Sequence, residues 1–218
     1  YFDLMWGINT SYGIPLAVYT DARTIFINTR GEDKLSIEQQ LAGINPRETQ
    51  FSRAMKDIGV RMHIASSPEA KGRIERLWGT LQDRLIKELR LAGISSIEQA
   101  NAWLPSFVKT HNRKFSRSAK DAEPAFRPHI HVQELELVLC RHEPRKLDRG
   151  LAFSYHNETY VLPERHNKKL LIARASQTVT VLESQRFGLK AQLMIDNETI
   201  TVTPKLITKQ PRVTEAEI

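Results

Sequence analysis

Apolar positions follow two different periods along the chain. Up to about residue 140 they recur at helical spacing or gather in short runs, and from about Leu151 they alternate with polar residues. Phe2 to Ser11 reads as a helix in which Phe2, Met5, Trp6 and Ile8 share one face, with Gly13 as its stop. Ile14 to Tyr19 is a short apolar run ending at Thr20-Asp21, the pattern of a buried strand, with Pro15 near its start. Gln50 to Ile58 predicts a helix closed by Gly59, and Val60 to Ala65 predicts a second buried strand. Strand and helix in alternation are α/β organisation. The polar stretch between them, residues 28–48, is expected to be loop with one short helix around Ser36 to Ala42.

Ser66-Ser67-Pro68-Glu69 has the chemistry of a helix start: a capping hydroxyl, a proline in the first turn and an acid near the positive end of the dipole. The helix is expected to run to about Leu91 with Ile74, Leu77, Trp78, Leu81 and Leu85 as its buried stripe, and to stop at Gly93. Ser95-Ser96-Ile97-Glu98 predicts a capping box for a further helix from Ile97 to about Asn112. Residues 113–131 are basic and contain Pro124 and Pro128, so they read as connector, followed by a short helix over Val132 to Arg141. After Leu151, six alternating runs predict strands: 151–155, 159–162, 169–173, 178–182, 190–195 and 199–203. His156-Asn157 and Asp196-Asn197 separate pairs of these runs as hairpin turns do. This region is expected to be a small all-β domain, a barrel or a barrel-like sandwich. The fold class is therefore α/β, then all-β.

No run approaches the roughly 18 to 20 apolar residues a membrane span needs. Residues 1–6 lack a basic region, so they do not read as a signal peptide. One cysteine, Cys140, fits a reducing compartment. The net charge of +7 is unevenly spread. Residues 71–120 hold eleven Lys/Arg against four acids, a local +7 that favours a polyanionic partner over a merely solvated helix face. From Arg141 onward, thirteen Lys/Arg against nine acids make the β region basic as well.

Two carboxylates stand out. Asp21 sits where a strand ends, a frequent metal or catalytic position, although a turn aspartate looks the same in isolation. Glu75 shares a helix face with Lys71, Gly72, Gly79 and Gln82, opposite the apolar stripe. Two glycines inside a helix each cost up to about 1 kcal/mol relative to alanine and permit close approach of a backbone or phosphate.

The strings Tyr-Thr-Asp-Ala-Arg (19–23), Phe-Ser-Arg-Ala-Met-Lys-Asp-Ile-Gly-Val (51–60) and Ser-Ser-Pro-Glu-Ala-Lys-Gly-Arg-Ile-Glu-Arg-Leu-Trp-Gly-Thr-Leu-Gln (66–82) resemble the retroviral-integrase-like DDE transposases of bacterial insertion sequences. The resemblance covers about residues 1–126. It implies a partial RNase H-like integrase core over 1–126, a helical linker over 127–150, a small SH3-like β-barrel over 151–207 and a tail over 208–218. It matches Asp21 and Glu75 to the family's second and third catalytic acids, which act as metal ligands for Mg²⁺ or Mn²⁺. It places Lys71, Arg73, Arg76, Gly79 and Gln82 near DNA. Arg113, Lys114, Arg117 and Lys120 follow a helix without an apolar seam and are candidates for phosphate contact. The implied function is DNA transposition and integration by metal-dependent phosphodiester cleavage and strand transfer. DNA is the implied partner, a homo-oligomer the implied state of the full-length protein, and the bacterial cytoplasm, at the nucleoid when bound, the implied location.

The family's first acid lies on an upstream strand. Only Asp3 precedes Asp21 here, in a helix-like segment, and it is not assigned that role. The expectation is a core without its N-terminal part, in which metal-bound catalysis is confined to the intact core, and which does not cleave DNA as it stands. The alternative is a non-catalytic DNA-binding or assembly remnant of a mobile element. Asp21 and Glu75 are 54 positions apart, wider than in typical members, and residues 28–48 would be the insertion. His129-x-His131 and Cys140-x-His142 have metal-ligand residue types at a spacing that matches no common zinc pattern. Trp78 and Trp103 are expected in the core.

Overall fold

Met5 and Asn9, one helical turn apart, are the buried positions of the first helix, α1 (Phe2–Tyr12). A computed structural model describes residues 1–28, 48–65, 68–119 and 121–207, with the side chains of 68–71 outside that description. The helix expected around Ser36 to Ala42 and the capping serines 66 and 67 therefore lie outside the described residues. The chain divides into two compact units. One contains Tyr1–Leu16, Thr24–Arg61 and Phe126–Ile218, the other Ala17–Arg23 and Met62–Ala125. The segment expected to form one partial core, 1–126, is thus shared between them.

In the first unit, α1 ends at Gly13, whose φ of +93° is a left-handed conformation, and an added Cβ there would overlap the Arg127 carbonyl oxygen. That close approach follows from strand pairing: β1 (Ile14–Pro15) runs antiparallel to Phe126–Arg127, a segment distant in sequence. Asn9 is 1% exposed and is fully used. Its Nδ2 donates to the Ile130 carbonyl at 3.3 Å, and its Oδ1 accepts from the Ile130 N–H at 3.1 Å. The expected single strand over Ile14 to Tyr19 is split at Leu16, because β1 joins this ladder whereas β2 (Ala17–Thr20) joins another.

Helix α2 (Gln50–Asp57) begins at Thr49, which forms a reciprocal capping box with Ser52. It buries Phe51, Ala54 and Met55. Arg53 projects from it to the turn after α5, which is defined below. The strand β3 (Arg61–Ile64), helices α3 (Pro68–Leu91) and α4 (Ile97–Phe115), strand β4 (Phe126–Arg127) and helix α5 (Val132–Val138) follow in order. Leu135 on α5 is completely buried. Arg53 donates to the carbonyls of Val138 at 3.0 Å and Cys140 at 2.7 Å. Gln50 exchanges hydrogen bonds of 2.7 and 2.9 Å with the His142 backbone.

The β region of this unit holds β5 (Arg141–Lys146), β6 (Ala152–Tyr155), β7 (Glu158–Val161), β8 (Arg165–His166), β9 (Lys169–Leu170), β10 (Thr178–Ser184), β11 (Gly188–Ile195), β12 (Glu198–Val202) and β13 (Lys205–Ile207). A four-stranded antiparallel sheet has the order β12-β11-β10-β5, and a three-stranded one the order β13-β7-β6. Both sheets contribute to one core that includes Phe153, Tyr155, Val179, Val181, Ala191 and Leu193. The described ladders do not join into a closed barrel. The alternation at β10 works as expected, with Val179 and Val181 buried and Thr178 exposed. β5 is a departure: it lies where a helical linker was expected, because Arg-His-Glu-Pro-Arg-Lys has no apolar alternation and owes its extended form to its ladder with β10.

In the second unit, the strands β2 and β3 form a two-stranded sheet. The Arg61 N–H bonds to Leu16 and the Ala65 N–H to Thr20, an equal advance along both strands, so the pair is parallel. Ser96 caps α4 in a box closed by Gln99, one residue beyond the expected Glu98. The stripe expected to be buried on α3 is not. Ile74, Leu77 and Trp78 are 46%, 41% and 56% exposed, whereas Leu81, Leu85 and Leu89 are half-buried. Trp78 is therefore not a core residue among the described ones, and Trp103 is half-buried. Two strands supply too little surface to cover the N-terminal half of a 24-residue helix.

Candidate functional site

The parallel pairing of β2 and β3 decides where the first candidate carboxylate sits. Thr20 is the last residue of β2 and pairs with Ala65 at the carboxyl end of β3, so Asp21 emerges at the carboxyl edge of both strands. Helix α3 opens at Pro68, three residues after Ala65, which keeps its start within about 10 Å of that edge. Glu75 lies in the second turn of that helix. The chain thus returns to that edge at the start of α3, and Glu75 lies seven residues further along the helix.

Asp21 is partly exposed and already engaged. Arg23 Nε lies 3.0 Å from one of its oxygens, and the Arg23 N–H donates to the other at 3.4 Å. The neighbouring Thr20 hydroxyl is buried without a hydrogen-bond partner among the described residues. Glu75 is exposed and makes no hydrogen bond or ion pair among the described residues. In kind, these two carboxylates and an unsatisfied hydroxyl are the hard oxygen donors a Mg²⁺ or Mn²⁺ ion takes. In number, the described residues contain no group of three or more His, Cys, Asp or Glu able to hold a metal.

The face around Glu75 is open. An added Cβ at Gly72 or Gly79 meets nothing within 4 Å, so neither glycine is required by packing inside the described chain. Arg73, Arg76, Gly79 and Gln82 are all exposed, and Arg76 Nε donates to the Gly72 carbonyl at 2.9 Å. Lys120 and the Lys71 side chain lie outside the described residues. Arg113 and Lys114 occupy the last turn of α4, and Arg117 follows the cap at Ser116. All three are exposed and unpaired among the described residues.

Sequence reading missed one feature of this unit. Trp103, Phe107, His111 and Phe115 recur at every fourth position of α4, and their rings meet in succession at 5.1, 5.9 and 4.8 Å. The spacing was visible as an (i, i+4) aromatic series. Arg84 of α3 lies 4.8 Å over Phe115, so this ladder is where the two helices meet.

The histidine and cysteine pairs are used otherwise. His129 Nδ1 lies against the Asn9 carbonyl, and His142 Nε2 lies 2.8 Å from the Leu137 carbonyl. Burial holds His142 below the ordinary histidine range, helped by the nearby Arg53 charge. Cys140 donates to the Leu137 carbonyl, and burial pushes its thiol up to about 12.

No helix among the described residues is long and apolar enough to cross a membrane. No family model matches the chain. A Sinorhizobium fredii protein named as transposase y4bF is 33% identical over 179 residues, 82% of this chain and 37% of that protein. The transposase for insertion sequence IS1202 of Streptococcus pneumoniae is 31% identical over 181 residues, 83% of this chain and 37% of that protein. The chain spans little more than a third of the length of these relatives. Over more than four fifths of its own length, the chain is a homologue of proteins named transposases.

Proposed function

We propose that this chain is part of a DDE transposase: an RNase H-like core segment followed by a small SH3-like β domain. Its part in DNA transposition is to hold DNA and to supply Asp21 and Glu75 to the site of phosphodiester cleavage and strand transfer. The observation that carries this reading is the similarity to two proteins named transposases over more than four fifths of the chain. It is supported by the connectivity that returns α3 to the edge bearing Asp21.

Asp21 and Glu75 would hold the divalent metal. When bound, such ions activate the attacking oxygen and stabilise the departing one. The chain's own residues do the rest. Arg73 and Arg76, two residues before and one after Glu75, offer charge to the phosphates flanking the scissile bond. Gly72 and Gly79 leave the backbone bare where DNA would approach. Arg113, Lys114 and Arg117 extend the phosphate track. Asp21 must release Arg23 before it can bind a cation, and that exchange favours a second reading in which this chain binds and assembles on DNA without cutting it.

Both readings require DNA binding dominated by phosphates. Anisotropy of a labelled duplex, titrated with the full chain at several salt concentrations, should give a log–log slope of about −0.9 per phosphate neutralised. Replacing Arg113, Lys114 and Arg117 with alanine should flatten it by up to about three units. A chain that does not bind duplex DNA at low salt sinks both readings. Metal-dependent nicking that disappears on Asp21→Ala selects the catalytic reading. Binding without nicking, in Mg²⁺ and in Mn²⁺, selects the other.

A further inference from the structure

Of the eleven described cations from Arg141 onward, four are engaged and seven are exposed without an ion pair among the described residues, including Lys146, Arg149 and Lys205 outside the hairpin. Arg141 and Arg145 both pair with Glu143, Arg186 pairs with Asp3 and lies over Trp6, and Lys190 lies over Phe187. Arg165, Lys168, Lys169 and Arg174 are exposed and have no ion-pair partner among the described residues. These four lie within residues 165–174, where Glu164 is the adjoining acid in sequence and Asp196 and Glu198 line a shared cavity with Lys169. They are carried by the hairpin of β8 and β9 and the irregular segment that follows it.

The hairpin is built to be approached. Arg165 pairs with Leu170 and His166 with Lys169, and the two-residue turn is Asn167-Lys168. Both turn residues are left-handed, with φ of 50° and 67°. The β region has two other turns of this kind, at His156-Asn157 and Asp196-Asn197. Both put asparagine second, the residue that tolerates the conformation. Here the second residue is lysine, which the conformation disfavours, and the result is a cation at the tip. No further strand extends this ladder among the described residues, so the ribbon has two open edges. Leu170 and Ile172, between the cations, are 68% and 66% exposed.

We propose that this hairpin is a second DNA-contacting element, a two-stranded ribbon that enters the major groove of duplex DNA. The inference rests on the reading of the chain as part of a transposase. The dimensions fit. Paired strands lie about 4.8 Å apart and three residues reach about 10 Å. The major groove is about 12 Å wide and 8.5 Å deep and admits a two-stranded ribbon as it stands, whereas the minor groove, about 6 Å wide, would have to be opened first. In that pose Arg165, Lys168 and Lys169 meet phosphates at the groove walls. Asn167, whose Nδ2 lies 3.0 Å from His166 Nε2, exchanges that contact for a base edge, where asparagine pairs with adenine, and Leu170 offers apolar contact to a thymine methyl.

The test combines Arg165→Gln, Lys168→Gly and Lys169→Gln in the full chain. Glycine suits the turn conformation, so the hairpin is kept while its charge is removed. Far-UV circular dichroism and thermal unfolding matching the parent chain establish that the fold is intact. Binding is read by anisotropy against salt on a duplex and on one of its strands alone. The expected result is a slope flatter by about 2 to 3 units on the duplex. Asn167→Gly should leave the slope alone and narrow the spread of affinities across duplex sequences. A triple variant that binds duplex with the parent slope, while the parent chain binds, overturns this proposal and leaves the transposase reading standing. Equal hairpin dependence on the single strand, or sequence preference untouched by Asn167→Gly, overturns the groove assignment. No binding by the parent chain overturns the transposase reading, and the hairpin's role falls with it.

Discussion

Removing Arg53 should destabilise the first unit far more than removing the acid it is paired with. The guanidinium bonds the carbonyls of Val138 and Cys140 at 3.0 and 2.7 Å and the Asp57 carboxylate at 2.8 Å. The arginine side chain is 15% exposed and that of Asp57 41%. Asp57 stays hydrated when its partner is lost, and a pair of this exposure contributes about 0.2 to 1 kcal/mol. The two carbonyls close the turn between α5 and β5 and are partly buried, so each costs about 1 to 3 kcal/mol when left without a donor. Arg53→Ala should therefore cost roughly 2 to 5 kcal/mol, and Asp57→Ala under about 1 kcal/mol. Arg53→Lys should recover little, because one ammonium cannot span both carbonyls and the acid in the fork geometry of arginine. Urea unfolding followed by Trp6 fluorescence, in a background where Trp78 and Trp103 are phenylalanine, reports on this unit. Equal losses for Arg53→Ala and Asp57→Ala, or a loss under about 1 kcal/mol for Arg53→Ala, would refute the reasoning.

Two further outcomes follow from the same unit. Burial raises the Cys140 thiol to about 12, so the folded state keeps a proton that the unfolded chain releases above its own pKa near 9. Stability should be unaffected below that pH and fall as pH rises from about 9 toward 12, and Cys140→Ala should flatten the decline. Native Cys140 should also resist iodoacetamide at pH 8, and rapid alkylation of the folded chain would contradict its burial. Gly13→Ala should lower the thermal midpoint by several degrees, since it adds a left-handed alanine and an overlap with the Arg127 carbonyl, roughly 2 to 3 kcal/mol together. A midpoint unchanged within a degree would show that β1 and β4 can part without cost.

The sequence was most readable where burial alternates on its own account. Val179 and Val181 face the core because a strand with apolar residues at every second position has one sensible orientation. The turns at His156-Asn157 and Asp196-Asn197 were legible from asparagine, whereas Asn167-Lys168 was hidden by a lysine in the second turn position. β5 was invisible because its extended form is imposed by β10, and no local pattern encodes a partner's demand. The stripe at Ile74, Leu77 and Trp78 is the opposite case: its period is right and its burial is not, since periodicity names a face but not what covers it. At the candidate site, the motif around Glu75 named the residues, while the Arg23 ion pair on Asp21 and the aromatic ladder of α4 depend on side-chain placement that spacing only suggests.

The tethers of α1 have a consequence for synthesis. Asn9 waits for Ile130, 121 positions later, and Asp3 for Arg186, 183 positions later. A ribosome adding roughly 5 to 20 residues per second takes roughly 6 to 24 s to deliver Ile130 after Asn9 has emerged. During that interval the buried Asn9 amide has no partner, although Phe51, which meets Tyr1 and Phe2, has already been made. The hairpins of the β region, by contrast, close on neighbours only a few residues away and need no such delay. Among these elements α1 is thus the one whose partners follow it by the longest interval, and a chaperone that holds short apolar helices would find its substrate there before residues 126–207 have been made.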